Sequence, residues 1–142
     1  MPLQITVKNF QKRIRLSSPQ VVQKTKKILK KERITNADLS LVFVSDQKIK
    51  ILNKKYLKHN YVTDVLAFDL REDLKDKKVT GEIIISTGRV VENAKKYKTS
   101  QAYELIYYVI HGILHLLGYR DHDPEDINRI RAKEQQLLKY LT

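Results

Sequence analysis

Two histidines, His111 and His115, lie four residues apart in a long apolar stretch of the sequence. Residues at this spacing lie one above the other on the same face of an α-helix, so both imidazoles can reach a single point. Residues 105–117 contain no Asp, Glu, Lys or Arg, which predicts that the helix is buried. Since a buried imidazole needs partners for its polar nitrogens, the pair is either hydrogen-bonded in the core or bound to a metal, and the residues that follow favour the metal.

The third ligand is expected just beyond this helix. Gly118 tolerates a left-handed backbone, so the helix is predicted to end there and the chain to turn back over the histidines. That turn can bring either Asp121 or His122 to the same point, because zinc accepts a carboxylate oxygen as well as an imidazole. Three protein ligands with an open fourth position are typical of a catalytic zinc site rather than a structural one.

The residue after the first histidine limits the chemistry. In the HExxH motif of zinc peptidases a glutamate at that position is the general base, whereas this chain has Gly112. Ordinary metallopeptidase chemistry is therefore disfavoured. Water acidified by a metal remains available as a nucleophile or a proton source.

Apolar periodicity and turn residues predict the elements that hold these residues in place. The predicted strands cover residues 3–7, 39–45, the end of 61–68, and 81–86. The predicted helices cover residues 19–33, 47–56, 87–98, 101–117 and 124–140. Residues 71–80 are the most polar run, and we expect a mobile loop or a hairpin there.

Three of the helix starts are predicted from capping residues. Ser18 precedes Pro19, Asp46 precedes the second helix, and Asp123 precedes a proline and two acids. Ser and Asp side chains accept hydrogen bonds from free backbone N–H groups, and proline fits the first helical position. The acids complement the positive end of the last helix.

The order of the elements predicts an α+β fold. We expect a small mixed β-sheet of about four strands packed with about five helices, with the metal-binding helix central. Residues 1–142 are expected to form a single domain, which is large enough to bury a core. The strand ending near Phe68 is expected to lie beside the metal-binding helix.

The positive charge is confined to the first part of the chain. The formal net charge is +12; residues 1–60 hold 15 Lys and Arg against 3 Asp and Glu, and residues 61–142 hold 13 against 13. The whole excess (15 − 3 = 12) thus lies in the first part. A basic surface is the electrostatic footprint of a protein that binds phosphate backbones, so it favours RNA as a partner.

Cysteine usage and hydropathy indicate the compartment. The chain has no cysteine, which excludes disulfides and thiolate ligands and fits a reducing environment. Its first residues do not resemble a signal peptide, and no apolar run approaches the ~20 residues of a membrane span. We expect a soluble, cytoplasmic protein without a membrane partner.

Four stretches together resemble the YbeY family of bacterial endoribonucleases. Residues 111–119 read His-Gly-Ile-Leu-His-Leu-Leu-Gly-Tyr, and residues 52–56, 63–68 and 81–86 agree with the family in order and spacing. The resemblance spans about residues 39–140. It implies one zinc ion per chain held by three residues, cleavage of single-stranded RNA, and a role in 16S rRNA 3′-end processing and ribosome quality control. The implied partners are rRNA and the ribosome, with ribosomal proteins as further candidates.

One departure from the family concerns the third ligand. The family signature usually ends Gly-Tyr-Asp-His, with the last histidine six residues after the second. Here Arg120 intervenes, so Asp121 takes the ligand position without a gap and His122 takes it after a one-residue insertion. We favour Asp121, because the ungapped register keeps the geometry from helix to turn, and retain His122 as the alternative.

A second departure concerns a positive group near the scissile phosphate. The family generally has an arginine after the tyrosine of its Leu-Asn-x-x-Tyr segment, where this chain has Leu57. Lys58 and His59 follow directly and are candidates for the missing catalytic charge. Thr63 and Asp64 are candidates for ordering this loop, with Asp64 either behind the metal ligands or capping a turn.

The sequence thus favours a metal-dependent endoribonuclease that collects RNA on its basic surface. A second interpretation is a non-catalytic assembly factor that binds RNA or the ribosome, with a structural metal. A third is a hydrolase of another substrate, which the missing glutamate and the basic first part of the chain disfavour.

Overall fold

The computed structural model of the chain describes residues 2–57, 64–73 and 75–141. The strands are β1 (Leu3–Asn9), β2 (Ala37–Val44), β3 (Val65–Asp69) and β4 (Val79–Ser86). The helices are α1 (Ser18–Lys31), α2 (Asp46–Leu57), α3 (Thr87–Tyr97), α4 (Gln101–Leu116) and α5 (Pro124–Leu141). These residues confirm the predicted α+β fold with four strands and five helices.

The four strands form one mixed sheet in the order β1-β2-β4-β3. β1, β2 and β4 are parallel, and β3 runs antiparallel to β4 at one edge. The polar run between β3 and β4 therefore belongs to a hairpin, which was one of the two expectations. Val79 and Thr80 were expected in that connection but belong to β4, because they pair with Ala37 and Asp38 of β2.

The two faces of the sheet are covered unequally. α1 and α4 pack on one face, with α3 and α5 against them, over a large buried core that includes Leu41, Phe43 and Ile83. The other face carries a smaller cluster around Ile49 of α2. α4 contacts β3, β4, α1, α3 and α5, which confirms its central position. β3 lies beside it, as expected.

Pairing and backbone conformation shift several predicted boundaries by one or two residues. β2 begins at Ala37 rather than residue 39, because Ala37 pairs on one side with Leu3 and on the other with Val79. β1 extends to Asn9, which pairs with Phe43. α1 ends at Lys31 rather than residue 33, since Arg33 has a left-handed backbone with φ 62°.

Two predicted caps are wrong by one residue and one is confirmed. Ser17, not Ser18, is the N-cap of α1. Ser45 Oγ, not Asp46, accepts the backbone N–H of Lys48 at the start of α2, at 3.2 Å. The Asp123 carboxylate does accept the N–H of Asp126, at 2.8 Å, where α5 begins. No helix in the described part of the chain is long and apolar enough to cross a bilayer.

Candidate metal centre

The two histidines of α4 face each other at the mouth of a cavity. Their Nε2 atoms are 2.9 Å apart and their rings are nearly perpendicular. The Oδ2 atom of Asp121 lies 3.5 Å from Nε2 of His115 and 3.9 Å from Nε2 of His111. All three potential ligand atoms lie within 4.8 Å of one another, so a single ion can contact them together.

The end of α4 explains why Asp121 reaches this point. Gly118 has φ +100°, and its N–H donates to the carbonyl of His115 at 3.1 Å. The N–H of Tyr119 donates to the carbonyl of Leu114 at 3.0 Å. This pair of bonds is the Schellman pattern that closes a helix around a glycine. It reverses the chain and returns Asp121 over the two rings, as the sequence predicted for that glycine.

Each histidine is oriented by an acceptor at its second ring nitrogen. His111 Nδ1 lies 2.5 Å from Oε2 of Glu134, whose side chain is only 1% exposed. The hydroxyl of Tyr107 donates to the other carboxylate oxygen of Glu134 at 3.0 Å. His115 Nδ1 lies 3.0 Å from the carbonyl oxygen of Tyr119, so the turn that ends α4 also fixes the second histidine.

These acceptors determine which ring nitrogens are free to bind a metal. A carbonyl oxygen can only accept, so His115 carries its proton on Nδ1 and presents a lone pair at Nε2. The carboxylate of Glu134 likewise accepts the Nδ1 proton of His111, so the Nε2 atom of His111 also presents a lone pair. The two Nε2 lone pairs therefore face each other beside the carboxylate of Asp121. These three groups repel one another, and a bound cation would remove that repulsion. Two imidazoles and one carboxylate fit zinc, which leaves room for a fourth ligand.

The electrostatics of His115 agree with a neutral ring. Burial lowers the pKa of His115 from its ordinary value, and the neighbouring His111 lowers it further. Asp121 opposes both effects. The ring consequently keeps its lone pair at neutral pH, as a metal ligand must.

Gly112 allows α4 to approach the sheet closely. A Cβ atom at this position would lie 2.6 Å from Cγ2 of Ile83, a fully buried residue of β4. The side of the helix that bears Gly112 is therefore packed on β4. A glutamate in this position has no space, which gives a structural reason why peptidase chemistry of the HExxH type is disfavoured here.

The cavity in front of the histidines has a volume of about 720 Å³. Its described walls include the apolar side chains of Val65 and Ala67 on β3 and of Ile127 and Ile130 on α5. Apart from the two histidines, Arg131 is the one basic residue among the described lining residues. Arg131 is exposed and forms no ion pair with a described acid, so its guanidinium is available to an anion in the cavity.

The structure brings together some of the predicted site residues and not others. His111, His115 and Asp121 form the cluster, whereas exposed His122 is not part of it. Asp64 also lines the cavity, but its carboxylate binds Nε of Arg89 at 2.8 Å. The candidates Lys58, His59 and Thr63 lie outside the described residues.

Glu134, Tyr107 and Arg131 were not predicted from the sequence. Glu134 had a recognisable signal, because it lies at helical spacing between Ile130 and Leu137, on the apolar stripe of α5. An acid on such a stripe needs a buried partner. Tyr107 and Arg131 gave no comparable signal, since their contacts depend on how α4 and α5 pack.

Comparisons with known proteins point to one family. A family profile described as "Endoribonuclease YbeY" matches residues 6–142. A protein named endoribonuclease YbeY from Thermodesulfovibrio yellowstonii is 38% identical over 158 residues, which cover 99% of each chain. Another of that name, from Syntrophus aciditrophicus, is 32% identical over 143 residues, which cover 97% of this chain and 89% of the relative.

A solved structure agrees with the fold. The solution structure of TM1509 from Thermotoga maritima superposes with a TM-score of 0.65 at 26% sequence identity. The superposition covers 96% of this chain and 87% of that protein.

Proposed function

The chain belongs to the YbeY family of endoribonucleases, and from this membership we propose that it cleaves single-stranded RNA with a zinc ion held by His111, His115 and Asp121. The observation that carries the proposal is the meeting of two Nε2 lone pairs and one carboxylate at the mouth of a cavity. The described residues act as one catalytic domain in this proposal.

The chain's own residues have distinct roles in the proposed reaction. Glu134 and the Tyr119 carbonyl hold the Nδ1 protons of the histidines, so both Nε2 atoms stay available to the metal. The hydroxyl of Tyr107 donates to Glu134 and keeps that buried carboxylate hydrogen-bonded. Zinc bound there would supply a Lewis acid for the phosphate.

Arg131 is a candidate for binding the scissile phosphate. The cavity contains the carboxylates of Asp64, Asp121 and Glu134, so a phosphodiester needs a compensating positive charge. A guanidinium binds phosphate through two parallel N–H donors, which orient it as well as attract it. Lys58 and His59 remain candidates for a further positive group beside it.

We extend the proposal to the family's cellular role, on the strength of the sequence resemblance. The substrate is then the 3′ end of 16S rRNA, and the protein acts in rRNA maturation and ribosome quality control in the cytoplasm. The ribosome and its proteins are the proposed partners. The basic first part of the chain supports an RNA partner by its charge.

The test is cleavage of single-stranded RNA by zinc-loaded protein. We expect His115→Ala to reduce cleavage by about two orders of magnitude or more, because a ligand is lost, while RNA affinity stays near the wild-type value. His122→Ala is the control and keeps wild-type cleavage. If the zinc-loaded wild type cleaves no RNA, the interpretation as an RNA-binding assembly factor is the better one. If His115→Ala cleaves RNA as well as the wild type, cleavage does not depend on this metal site and the proposed mechanism fails.

A second pair of variants tests Arg131. Arg131→Gln should raise KM for RNA about tenfold, the value of one charge-assisted hydrogen bond, with an unchanged zinc content. Arg129→Gln is the matched control, because Arg129 lies on the same helix, is exposed and does not line this cavity. Equal KM values for the two variants would remove Arg131 from the proposed mechanism.

A further inference from the structure

Phe10 is the most exposed of the large hydrophobic residues in the described part of the chain. Its side chain is 69% exposed, in the loop that follows β1. Leu70, the residue after β3, is 58% exposed and lines the same groove as Phe10. Single exposed apolar residues are common, but two that border one groove form a contiguous patch that requires an explanation.

The loop that carries Phe10 is held in one conformation. The N–H of Phe10 donates to the carbonyl of Phe43 at 2.9 Å, which fixes its backbone to the end of β2. The side chain of Gln11 donates to Asn9 Oδ1 at 2.8 Å and accepts from the N–H of Ile14 at 2.9 Å. Ile14 is buried in the core. The aromatic ring is thus presented to solvent by an ordered backbone, which reduces the entropy that a ligand must overcome.

Grooves border Phe10 on two sides. One has a volume of about 450 Å³ and an apolar floor on the open face of the sheet, formed by Val42, Val44, Phe68 and Ile84. The other has a volume of about 330 Å³ and lies towards the start of α3. A planar apolar group can therefore lie against the ring, with chain continuing on either side.

The charge around the two grooves is mainly positive. Lys8 and Lys48 line the first groove, and Lys12 and Arg13 line the second; all four are exposed and form no ion pair with a described acid. The described acids of these walls are Glu82 and Asp46, and Asp46 is hydrogen-bonded to Ser86. A partner that suits this surface carries negative charges around flat apolar groups.

We propose that this surface, the Phe10 platform (Lys8, Phe10, Lys12, Arg13 and Lys48), binds single-stranded RNA by stacking a base on the ring and contacting the flanking phosphates. An exposed aromatic ring between cations on an open sheet face is how proteins hold unpaired bases without reading their sequence. An apolar protein segment would use the groove but leave four cations without counter-charges. The identity of the partner rests on the proposed RNA-cleaving function, whereas the surface itself does not.

The platform is connected to the metal centre by β3. Phe68 faces the groove, and its neighbour Ala67 points to the opposite side of the strand, into the cavity of the metal centre. β1 and β3 are three strand spacings apart, which is about 14 Å. An RNA strand a few nucleotides long can therefore cross the open face and pass the β3 edge to the histidines.

The test places a fluorescent ring at the platform. Phe10→Trp introduces the sole tryptophan of a chain that has none, and a short single-stranded oligoadenylate is titrated into the metal-free protein so that the RNA stays intact. We expect saturable quenching of the tryptophan by base stacking. Tyr97→Trp is the matched control, because Tyr97 is 59% exposed beside Lys96 but lies at the far end of α3. We expect no quenching there, and none at position 10 with duplex RNA.

A second variant separates stacking from simple apolar contact. Phe10→Leu keeps an apolar side chain and removes the ring, so RNA affinity should fall about 5- to 150-fold, the equivalent of one stacked base. Wild-type affinity in Phe10→Leu, or an unquenched Phe10→Trp, would overturn the proposal and leave the groove to a protein segment. A tryptophan that responds to anionic lipid vesicles and not to RNA would overturn it as well.

The outcomes for the platform and for the metal centre are independent. If RNA quenches Trp at position 10 but zinc-loaded protein cleaves nothing, the platform stands and the proposed enzymatic function fails. If cleavage depends on His115 and no quenching occurs, the enzyme stands and the platform fails.

Discussion

Asp121 and His122 are adjacent residues with the same chemical ability to bind zinc, and the backbone brings only Asp121 beside the two histidines. The Schellman turn at Gly118 brings the Asp121 carboxylate within 3.5 Å of His115 Nε2. His122 is exposed and outside the cluster. The sequence correctly predicted that the chain turns back at the glycine, but the choice of residue depends on the direction in which each side chain leaves that turn.

The zinc content of variants at these two positions tests which residue binds the ion. We expect the wild type to bind about one zinc per chain and Asp121→Ala to lose most of it, because two imidazoles without a third ligand hold the ion weakly. His122→Ala should keep it. Elemental analysis of tag-free protein measures both. Zinc lost only in His122→Ala would shift the ligand register by one residue and require a different turn.

Glu134 is one of the three residues of this site that were not predicted from the sequence, and its contact with His111 spans 23 positions. We expect Glu134→Gln to weaken zinc binding about 10- to 100-fold, since a neutral amide orients and polarises the imidazole less well than a carboxylate. A competition titration against a chelator measures this affinity. Glu125→Gln, an exposed acid near the start of the same helix, should bind zinc like the wild type. Equal affinities in the two variants would mean that the buried carboxylate only packs against the ring.

At the scale of elements, Arg71 links the β3–β4 hairpin to the end of α4 by a hydrogen bond. Nη2 of Arg71 donates to the carbonyl of Leu116 at 2.9 Å, in the last turn of the helix. Nε of Arg71 donates to Asp69 Oδ1 at 2.9 Å. The contact with Leu116 spans 45 positions, and Arg71 lies in a stretch that the sequence shows only as polar. Hydropathy could predict the hairpin but not this long-range bond.

The ion pair between Arg71 and Asp69 also makes the stability of the fold depend on pH. The hydrogen bond from Arg71 is the main reason that the pKa of Asp69 lies below its ordinary value of about 3.9. The native state therefore binds the proton less readily than the unfolded chain. The stabilisation is complete above the ordinary pKa and is lost as the pH falls through the lowered one.

Asp69→Asn should therefore lower the free energy of unfolding by about 1 kcal/mol at neutral pH, because the partly exposed pair is screened by solvent. The difference from the wild type should shrink as the pH falls from the ordinary pKa to the lowered one. Urea unfolding of metal-free protein across this range measures it, and Glu72→Gln, an exposed residue of the same hairpin, is the control. A difference that stays constant with pH would show that Asp69 acts through packing rather than charge.

At the scale of the whole molecule, the fold class and the helix–strand order followed from the sequence, but the sheet order did not. Apolar periodicity predicts each element, because the buried side chains of a helix or a strand recur at a short, regular spacing along the sequence. The insertion of β4 between β2 and β3 depends on contacts between distant segments, which no local pattern records. The charge pattern likewise has one part that is visible in the sequence and another that only the fold shows. The sequence located the positive charge in residues 1–60, and only the fold shows that Phe10, next to Lys12 and Arg13, is exposed and that Lys48 of α2 lines a groove with it.

That location distinguishes a specific RNA surface from a general attraction by the net charge. Each phosphate contact on a single strand adds about −0.7 to the slope of log affinity against log salt. Replacing both Lys12 and Arg13 by Gln should therefore reduce the slope by about 1.4. Replacing Lys26 and Lys30 on α1 by Gln changes the formal charge by the same amount, from +12 to +10 (12 − 2), and should leave the slope nearly unchanged. Salt titrations of RNA binding by metal-free protein compare the two variants. Equal slopes would show that RNA responds to the charge of the whole protein, and that the cations beside Phe10 make no phosphate contact of their own.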